Sequence, residues 1–135
     1  MSKLTLMQEP FVHILLDTTT NLIIAKWNGF LKGEDVRKGC SLLMDYILDK
    51  NLKIHMSDHR QLKILSKEVQ SYLVNEWFPQ AEQAGLQKIG AIVADDVFAA
   101  ATVNKVNSEA HVGALRINMF NSETECEKWL LQSGR

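Results

Sequence analysis

The sequence has no excess of charge of one sign and no long hydrophobic run. Its 135 residues include 15 Lys and Arg against 16 Asp and Glu, which gives a formal net charge of -1. A chain without a basic field does not attract phosphate backbones or anionic lipids, so we expect no nucleic-acid partner. No apolar run approaches the roughly 20 residues that a helix needs to cross a bilayer, so we expect no membrane span.

The N-terminal segment also lacks the features of a secretory signal. Residues 1–16 contain one early Lys and several apolar residues, but Gln8, Glu9 and Pro10 interrupt any apolar region of the required length. We therefore expect the protein to be cytoplasmic.

Motifs for metal binding and catalysis are missing as well. The two cysteines, Cys40 and Cys126, form no CxxC pair and fall on the apolar stripes of predicted helices, so we expect reduced thiols in the core. No predicted helix carries two histidines at positions i and i+4, as a zinc-binding helix does, because His55 and His59, which are four residues apart, fall in a predicted strand and a predicted loop. No serine lies in a Gly-x-Ser-x-Gly sequence, and the glycines are too sparse for a phosphate-binding loop. We therefore predict no metal site, no cofactor and no identifiable set of catalytic residues.

What the sequence does have is the composition of one ordinary folded domain. Hydrophobic residues make up 46% of the chain and charged residues 23%, close to the averages for globular proteins. A chain of this length can bury roughly two thirds of the surface that it exposes when unfolded. Because there is no repeat, linker or low-complexity segment, we expect residues 1–135 to form a single domain.

The first half of the chain predicts an antiparallel hairpin followed by a helix and a strand. Two apolar runs, residues 11–16 and 22–27, flank a polar cluster and predict the hairpin. Apolar residues at steps of three and four predict a helix over residues 34–50, and Asn51 suits the left-handed position after its end. We predict that residues 52–58 form the third strand.

The second half predicts two more strands, each between helices. In order, the elements are a long helix from Ser66 to Gly85 with a kink at Pro79, a buried strand over residues 88–94, a short Ala-rich helix from near Asp96, a strand over residues 115–120 and a closing helix. Ser66 is a favoured N-cap residue, and the segment from Ser122 to Glu125 matches the capping box. Of the four histidines, His13 and His55 fall in predicted strands, whereas His59 and His111 fall in predicted loops.

The order of these elements, β-β-α-β-α-β-α-β-α, predicts an α/β fold. Helical crossovers make the strands after the hairpin parallel and place helices on the faces of the sheet. We therefore predict a five-stranded mixed sheet with an N-terminal antiparallel hairpin, covered by helices.

Three packing patterns within this order resemble the STAS-like domains of the SpoIIAA-like superfamily. They are Trp27-Asn28-Gly29-Phe30 after the second strand, the run Ile89-Gly90-Ala91-Ile92-Val93, and Phe120 followed by Glu127-Lys128-Trp129-Leu130 in the closing helix. The resemblance covers nearly the whole chain and implies a regulatory or protein-interaction module. A related branch resembles the CRAL-TRIO lipid-exchange domains, which hold an apolar ligand.

The sequence departs from one feature that this resemblance implies. The sporulation proteins of the superfamily carry an Asp-Ser-Ser-Gly switch after the third strand, whose serine is phosphorylated, whereas this sequence has Ser57-Asp58-His59-Arg60. Ser66 is a candidate phosphorylation site, because a phosphate is favoured at a helix N-terminus. The simpler interpretation is that Ser66 is an N-cap residue.

Polar residues follow each strand of the predicted parallel sheet. In open α/β sheets ligands bind at the carboxyl ends of the strands, so we expect these residues to share one rim. Ordinary roles remain open for some of them, with Asn28 in a turn, Asp96 as a helix cap and Arg60 as the partner of an Asp. The candidate ligand-binding residues are Asn28, Asp58, His59, Arg60, Asp95, Asp96 and Asn121.

Three functions remain open from the sequence. In the first, a non-enzymatic interaction module binds a protein partner or a second copy through surplus apolar residues of the long helix, Val74, Trp77 and Phe78, unless all three belong to the core. In the second, a carrier holds a small apolar ligand or lipid in a pocket under the long helix, next to three alanines at 99–101. In the third, an enzyme uses Asp58 and His59, although one Asp-His pair without a nucleophile or a metal is an incomplete catalytic set.

Overall fold

A single mixed sheet forms the centre of the molecule. The computed structural model describes residues 3–63, 66–97 and 109–132, and of residues 109–112 it describes the backbone. The described strands are β1 (Lys3–Glu9), β2 (Val12–Asp17), β3 (Leu22–Gly29), β4 (Ile54–Leu62), β5 (Lys88–Ile92), β6 (Glu109–Val112) and β7 (Leu115–Phe120). All seven belong to one sheet with the order β1-β2-β3-β4-β5-β7-β6.

Helices cover both faces of this sheet. The described helices are α1 (Gly33–Lys50), α2 (Lys67–Tyr72), α3 (Phe78–Gln83) and α4 (Glu123–Leu131). A π-helical turn, Leu73–Trp77, joins α2 to α3 without a break, and we call these three segments together the long helix. A helical turn begins at residue 95, as predicted, but the alanines at 99–101 lie outside the described residues.

The directions of the strands confirm the predicted mixed sheet. β2 and β3 form the antiparallel hairpin, and β3, β4, β5 and β7 run parallel to one another. The predicted number of five strands is wrong, because β1 and β6 are added at the two edges in antiparallel pairing. β1 is mostly exposed, so it lacks the alternation of buried residues that predicts a strand, and β6 is only four residues long. His111 consequently lies in β6 and not in a loop.

The two faces of the sheet have separate cores. Ile23, Ala25 and Trp27 of β3 pack under α1 and the long helix, in a core that includes Val36, Cys40, Leu43, Ile47, Val69, Trp77 and Ala81. On the other face Leu22, Ile24, Met56 and Ile92 pack under Cys126 and Leu130 of α4. Both cysteines are free and buried, as predicted, and burial raises the pKa of each thiol to about 12.

The predicted helix ends are present. Asn51 closes α1 in the left-handed conformation, with φ of 56°. The hydroxyl oxygens of Ser66 and Ser122 accept hydrogen bonds from the backbone N–H groups of Val69 and Glu125 at 3.2 and 3.3 Å. None of the described helices combines the length and the apolar composition needed to cross a bilayer.

The π-helical turn occupies the position of the predicted kink. Pro79 has no N–H group, and in a regular α-helix its ring would collide with the carbonyl oxygen of Asn75. The backbone N–H of Phe78 instead donates to the carbonyl oxygen of Leu73, five residues earlier. The wider turn accommodates Pro79 without ending the helix, and π-helical turns of this kind often lie at functional sites.

Candidate functional site

The polar residues predicted for a common rim make separate local contacts. Asn121 Nδ2 donates a hydrogen bond to Asp95 Oδ1 at 3.1 Å, and Asp96 beside them is exposed. Asn28 Nδ2 donates to the carbonyl oxygen of Pro10 at 3.2 Å, which ties the end of β3 to the turn before β2. Ligand binding by these residues stays a prediction.

Asp58 and Arg60 form an ion pair on the face of the sheet that α4 covers. Arg60 Nε and Nη2 donate to the two carboxylate oxygens of Asp58 at 3.0 and 2.7 Å, and Nη2 also donates to Glu123 Oε1 at 3.1 Å. Burial favours the protonated form of Asp58, but the hydrogen bonds and charge of Arg60 outweigh it and lower the pKa of Asp58. The ion pair joins β4 to the first turn of α4, which is the ordinary role expected for Arg60.

His59 lies on the opposite face of the sheet from Asp58. β4 continues to Leu62, so His59 lies inside the strand and not in the predicted loop, and neighbouring residues of a strand point to opposite faces. The ring Nε2 of His59 contacts Ser57 Oγ at 2.7 Å, whereas Asp58 binds Arg60. The Asp58-His59 pair required by the enzyme hypothesis is therefore not formed.

A cavity of about 80 Å³ lies between the sheet and the long helix. Its wall is largely apolar and includes Trp27, Val36, Leu43, Val69, Ile89 and Ile117. None of the described residues that line it is Asp, Glu, Lys or Arg. The π-helical turn contributes Leu73 and Trp77 to the roof, so the irregular part of the long helix lies directly over the cavity.

Three polar side chains of β4, at alternate positions, point into this cavity. His55, Ser57 and His59 share the face of the sheet under the long helix. Only His59 was among the predicted site residues. The signal that could have identified His55 and Ser57 is their spacing at i and i+2 before His59, which places all three on one face if the strand extends beyond residue 58.

The hydrogen bonds of His55 define which ring nitrogen carries its proton. His55 is 2% exposed, and its Nδ1 lies 2.9 Å from the carbonyl oxygen of Ile23. A carbonyl oxygen only accepts hydrogen bonds, so Nδ1 is the protonated nitrogen and Nε2 carries a lone pair. The ring packs edge-on against Trp77 at 5.9 Å between centroids, and Trp77 Nε1 donates to the carbonyl oxygen of Cys40 at 3.2 Å.

Burial keeps both histidines uncharged. It lowers the pKa of His55 to about 4, although the hydrogen bond to Ile23 acts in the other direction. It also lowers the pKa of His59 to about 4, against the attraction of the Asp58 carboxylate. At neutral pH the cavity is therefore lined by neutral hydrogen-bonding groups within apolar walls.

The cavity lies towards the carboxyl ends of the parallel strands. Leu62 is the last residue of β4, and Leu31 follows the end of β3. Together with Leu73 and Phe78 of the long helix they are lining residues that remain partly exposed, so we place the mouth of the cavity among these four side chains. Of the seven predicted ligand-binding residues, His59 lines this cavity, and a ligand site at the carboxyl ends of the strands stays a prediction.

A similar fold occurs in a known crystal structure. It is that of an uncharacterized protein from the DUF3478 family with a SpoIIAA-like fold, from Shewanella loihica PV-4. The alignment covers 92% of this chain and 98% of that chain, with a TM-score of 0.60 and 14% sequence identity. The fold is SpoIIAA-like. No protein-family model matches the chain, and no curated protein is significantly similar to it.

Within this SpoIIAA-like fold, the residues predicted for an interface are divided between core and surface. Trp77 is 3% exposed and Phe78 lines the cavity, whereas Val74 on the same turn is 60% exposed. Trp77 is therefore a core residue, and an interface that includes Val74 or Phe78 stays a prediction.

Two further features concern Ser66 and metal binding. Ser66 is exposed and caps the long helix, and its phosphorylation stays a prediction. Among residues 3–63, 66–97 and 109–132, no three His, Cys, Asp or Glu side chains come together as a metal site requires.

Proposed function

We propose that this protein is a non-enzymatic binding module that holds a small, mostly apolar molecule in the cavity under the long helix. The observation that carries the proposal is the apolar cavity of about 80 Å³ beside the carboxyl ends of β3 and β4. A water-sized sphere needs roughly 10–15 Å³ of such space, so the cavity has room for several non-hydrogen atoms of a ligand. Apolar walls with a few polar groups are typical of small-molecule sites.

The polar groups in the cavity favour binding over catalysis. Ser57 and His59 are within hydrogen-bond distance, as a nucleophile and its base would be. However, a histidine with a pKa of about 4 is a weak base at neutral pH, and Asp58 is on the wrong face of the sheet to orient it. These groups are better suited to giving a bound molecule its orientation.

Filling the cavity tests this proposal. Ala91 lies in the cavity wall, so Ala91→Leu should occupy the space that a ligand would use. In the natural protein, small alcohols and haloalkanes should shift the NMR signal of the Trp77 indole N–H, and in Ala91→Leu this shift should be lost. Val74→Leu enlarges an exposed side chain of the same turn and should leave the shift unchanged. The absence of any shift in the natural protein would exclude the proposed function.

A protein-interaction role is the second candidate, and the exposure of two large apolar side chains favours it. Phe30 is 70% exposed and Val74 is 60% exposed. If Val74 contributes to self-association, the natural protein should be larger than a monomer in gel filtration with light scattering, and Val74→Glu should reduce its mass. A monomeric natural protein at all concentrations would exclude self-association through this residue.

A further inference from the structure

We infer, on the basis of the proposed function, that the ligand is uncharged and carries a hydroxyl group, whose proton is accepted by Nε2 of His55 inside the cavity. Three features of the cavity favour such a ligand: a free acceptor, a lack of charge and a limited volume.

The free acceptor is the first feature. Nδ1 of His55 donates its proton in a hydrogen bond to the carbonyl oxygen of Ile23 on the neighbouring strand. Among the residues that the structure describes, none donates a hydrogen bond to Nε2, although His55 is 2% exposed and lines the cavity. Nε2 is not one of the fully buried side-chain atoms without a partner, of which Thr20 Oγ1 is the one described, so a molecule in the cavity can reach it. A ligand that donates a hydrogen bond to this acceptor is therefore favoured over one that does not.

Ser57 and His59 extend the polar strip along the floor of the cavity. The contact at 2.7 Å between Ser57 Oγ and His59 Nε2 uses one hydrogen-bonding direction of the hydroxyl. A serine hydroxyl has one proton and two lone pairs, so Ser57 keeps further capacity to bond a neighbouring group. Ser57 lies two residues from His55, about 7 Å along the strand, which suits a small polar group between them.

The lack of charge is the second feature. None of the described residues that line the cavity is charged at neutral pH, since both histidines are neutral and the Cys40 thiol keeps its proton. A carboxylate or an ammonium group would lose its hydration there without meeting an opposite charge. Uncharged molecules are therefore favoured over anions and cations of the same size.

The volume is the third feature. An engineered protein cavity of about 150 Å³ accommodates benzene, and this cavity is smaller, at about 80 Å³. The part of the ligand inside the cavity is therefore smaller than an aromatic ring, as is the hydroxyl end of a short alkanol. A longer molecule would leave its remainder at the mouth among Leu31, Leu62, Leu73 and Phe78.

Comparing the binding of three molecules of similar size tests the roles of the hydroxyl group and of charge: butan-1-ol, 1-chlorobutane and propanoate. The matched variant is His55→Asn, because the Asn amide reaches as far as Nδ1 and can keep the bond to Ile23 while Nε2 is removed. We expect His55→Asn to weaken binding of butan-1-ol about tenfold, the effect of one lost hydrogen bond, and to change the affinity for 1-chlorobutane less than twofold. Propanoate should not bind to either protein.

Hydrogen bonding to His55 Nε2 can also be measured in the natural protein, without any substitution. The ¹⁵N resonance of an unprotonated ring nitrogen moves upfield when the nitrogen accepts a hydrogen bond, so butan-1-ol should move the Nε2 signal of His55 and 1-chlorobutane should not. If both probes bind and neither moves this signal, the inference is overturned and the proposed function survives. If neither probe binds and the Trp77 signal is unchanged, both are overturned.

Discussion

His55 shows how one buried side chain connects stability to the candidate site. Its ring is held between β3 and the π-helical turn by a hydrogen bond to Ile23 and an edge contact with Trp77. Burial keeps the ring neutral in the folded protein, whereas in the unfolded chain it is free to take up a proton. The charge state of His55 therefore depends on folding.

The stability of the protein should fall at acid pH because of this residue. The pKa of His55 is about 4 in the folded protein and 6.5 in the unfolded chain, so the unfolded chain binds more protons between these values. The contribution of His55 to the free energy of unfolding is complete above pH 6.5, falls as the pH is lowered and is lost near pH 4. The total change is about 3 kcal/mol. Urea unfolding at a series of pH values measures it.

The control for this pH dependence is His55→Asn, which should reduce the slope between pH 6.5 and 4. The other groups that face the cavity histidines are the Cys40 thiol, which does not titrate in this range, and the Asp58 carboxylate across the sheet. His59 contributes in the same direction as His55 and remains in the variant. An identical slope in both proteins would contradict the assignment to His55.

The helices and the central strands were largely predictable because their signals are local. Ser66, Asn51 and the segment from Ser122 to Glu125 act through hydrogen bonds within a few residues, and each marks a helix end in the structure. The edge strands were harder to predict, because β1 is mostly exposed and has few buried residues to indicate a strand, and β6 is only four residues long.

The candidate site was less predictable than the helices for a related reason. The end of β4 was predicted at residue 58, and the strand in fact continues to Leu62. This extension places Asp58 and His59 on opposite faces and aligns His59 with His55 and Ser57. The cavity itself depends on how the long helix sits on the sheet, and the sequence indicates only that Pro79 disturbs that helix.

Removal of either serine cap should destabilise the helix that it begins. Ser66→Ala and Ser122→Ala each remove an acceptor for a backbone N–H group, so each should lower the free energy of unfolding by about 1 kcal/mol in urea denaturation. Thr124→Ala, an exposed position in the first turn of α4, is the control and should change it by less than about 0.5 kcal/mol. Equal stability of all three variants would exclude the capping roles.

The two sides of the sheet are packed differently. On the side of α4, Gly90 of β5 allows close packing, because a side-chain carbon at this position would collide with Cys126 Sγ. On the side of the long helix, a π-helical turn and three polar side chains leave a cavity. The α4 side is therefore suited to holding the fold together and the long-helix side to holding a ligand.

The close packing on the α4 side can be measured by a double-mutant cycle. Gly90→Ala should lower the free energy of unfolding by about 2 kcal/mol, as overpacked cores do. Because the collision is with the sulfur atom, Gly90→Ala combined with Cys126→Ala should cost less than the sum of the two single variants, by about 1 kcal/mol. Strictly additive effects would show that the collision is relieved elsewhere.

Whether the space under the long helix receives a small uncharged molecule can be seen in a crystal structure of the natural protein soaked in butan-1-ol. We expect electron density for the alcohol between the sheet and the π-helical turn, with its oxygen within hydrogen-bond distance of His55 Nε2. A well-ordered structure in which Trp77 and Val69 close over this space, with no alcohol at saturating concentration, would contradict this expectation.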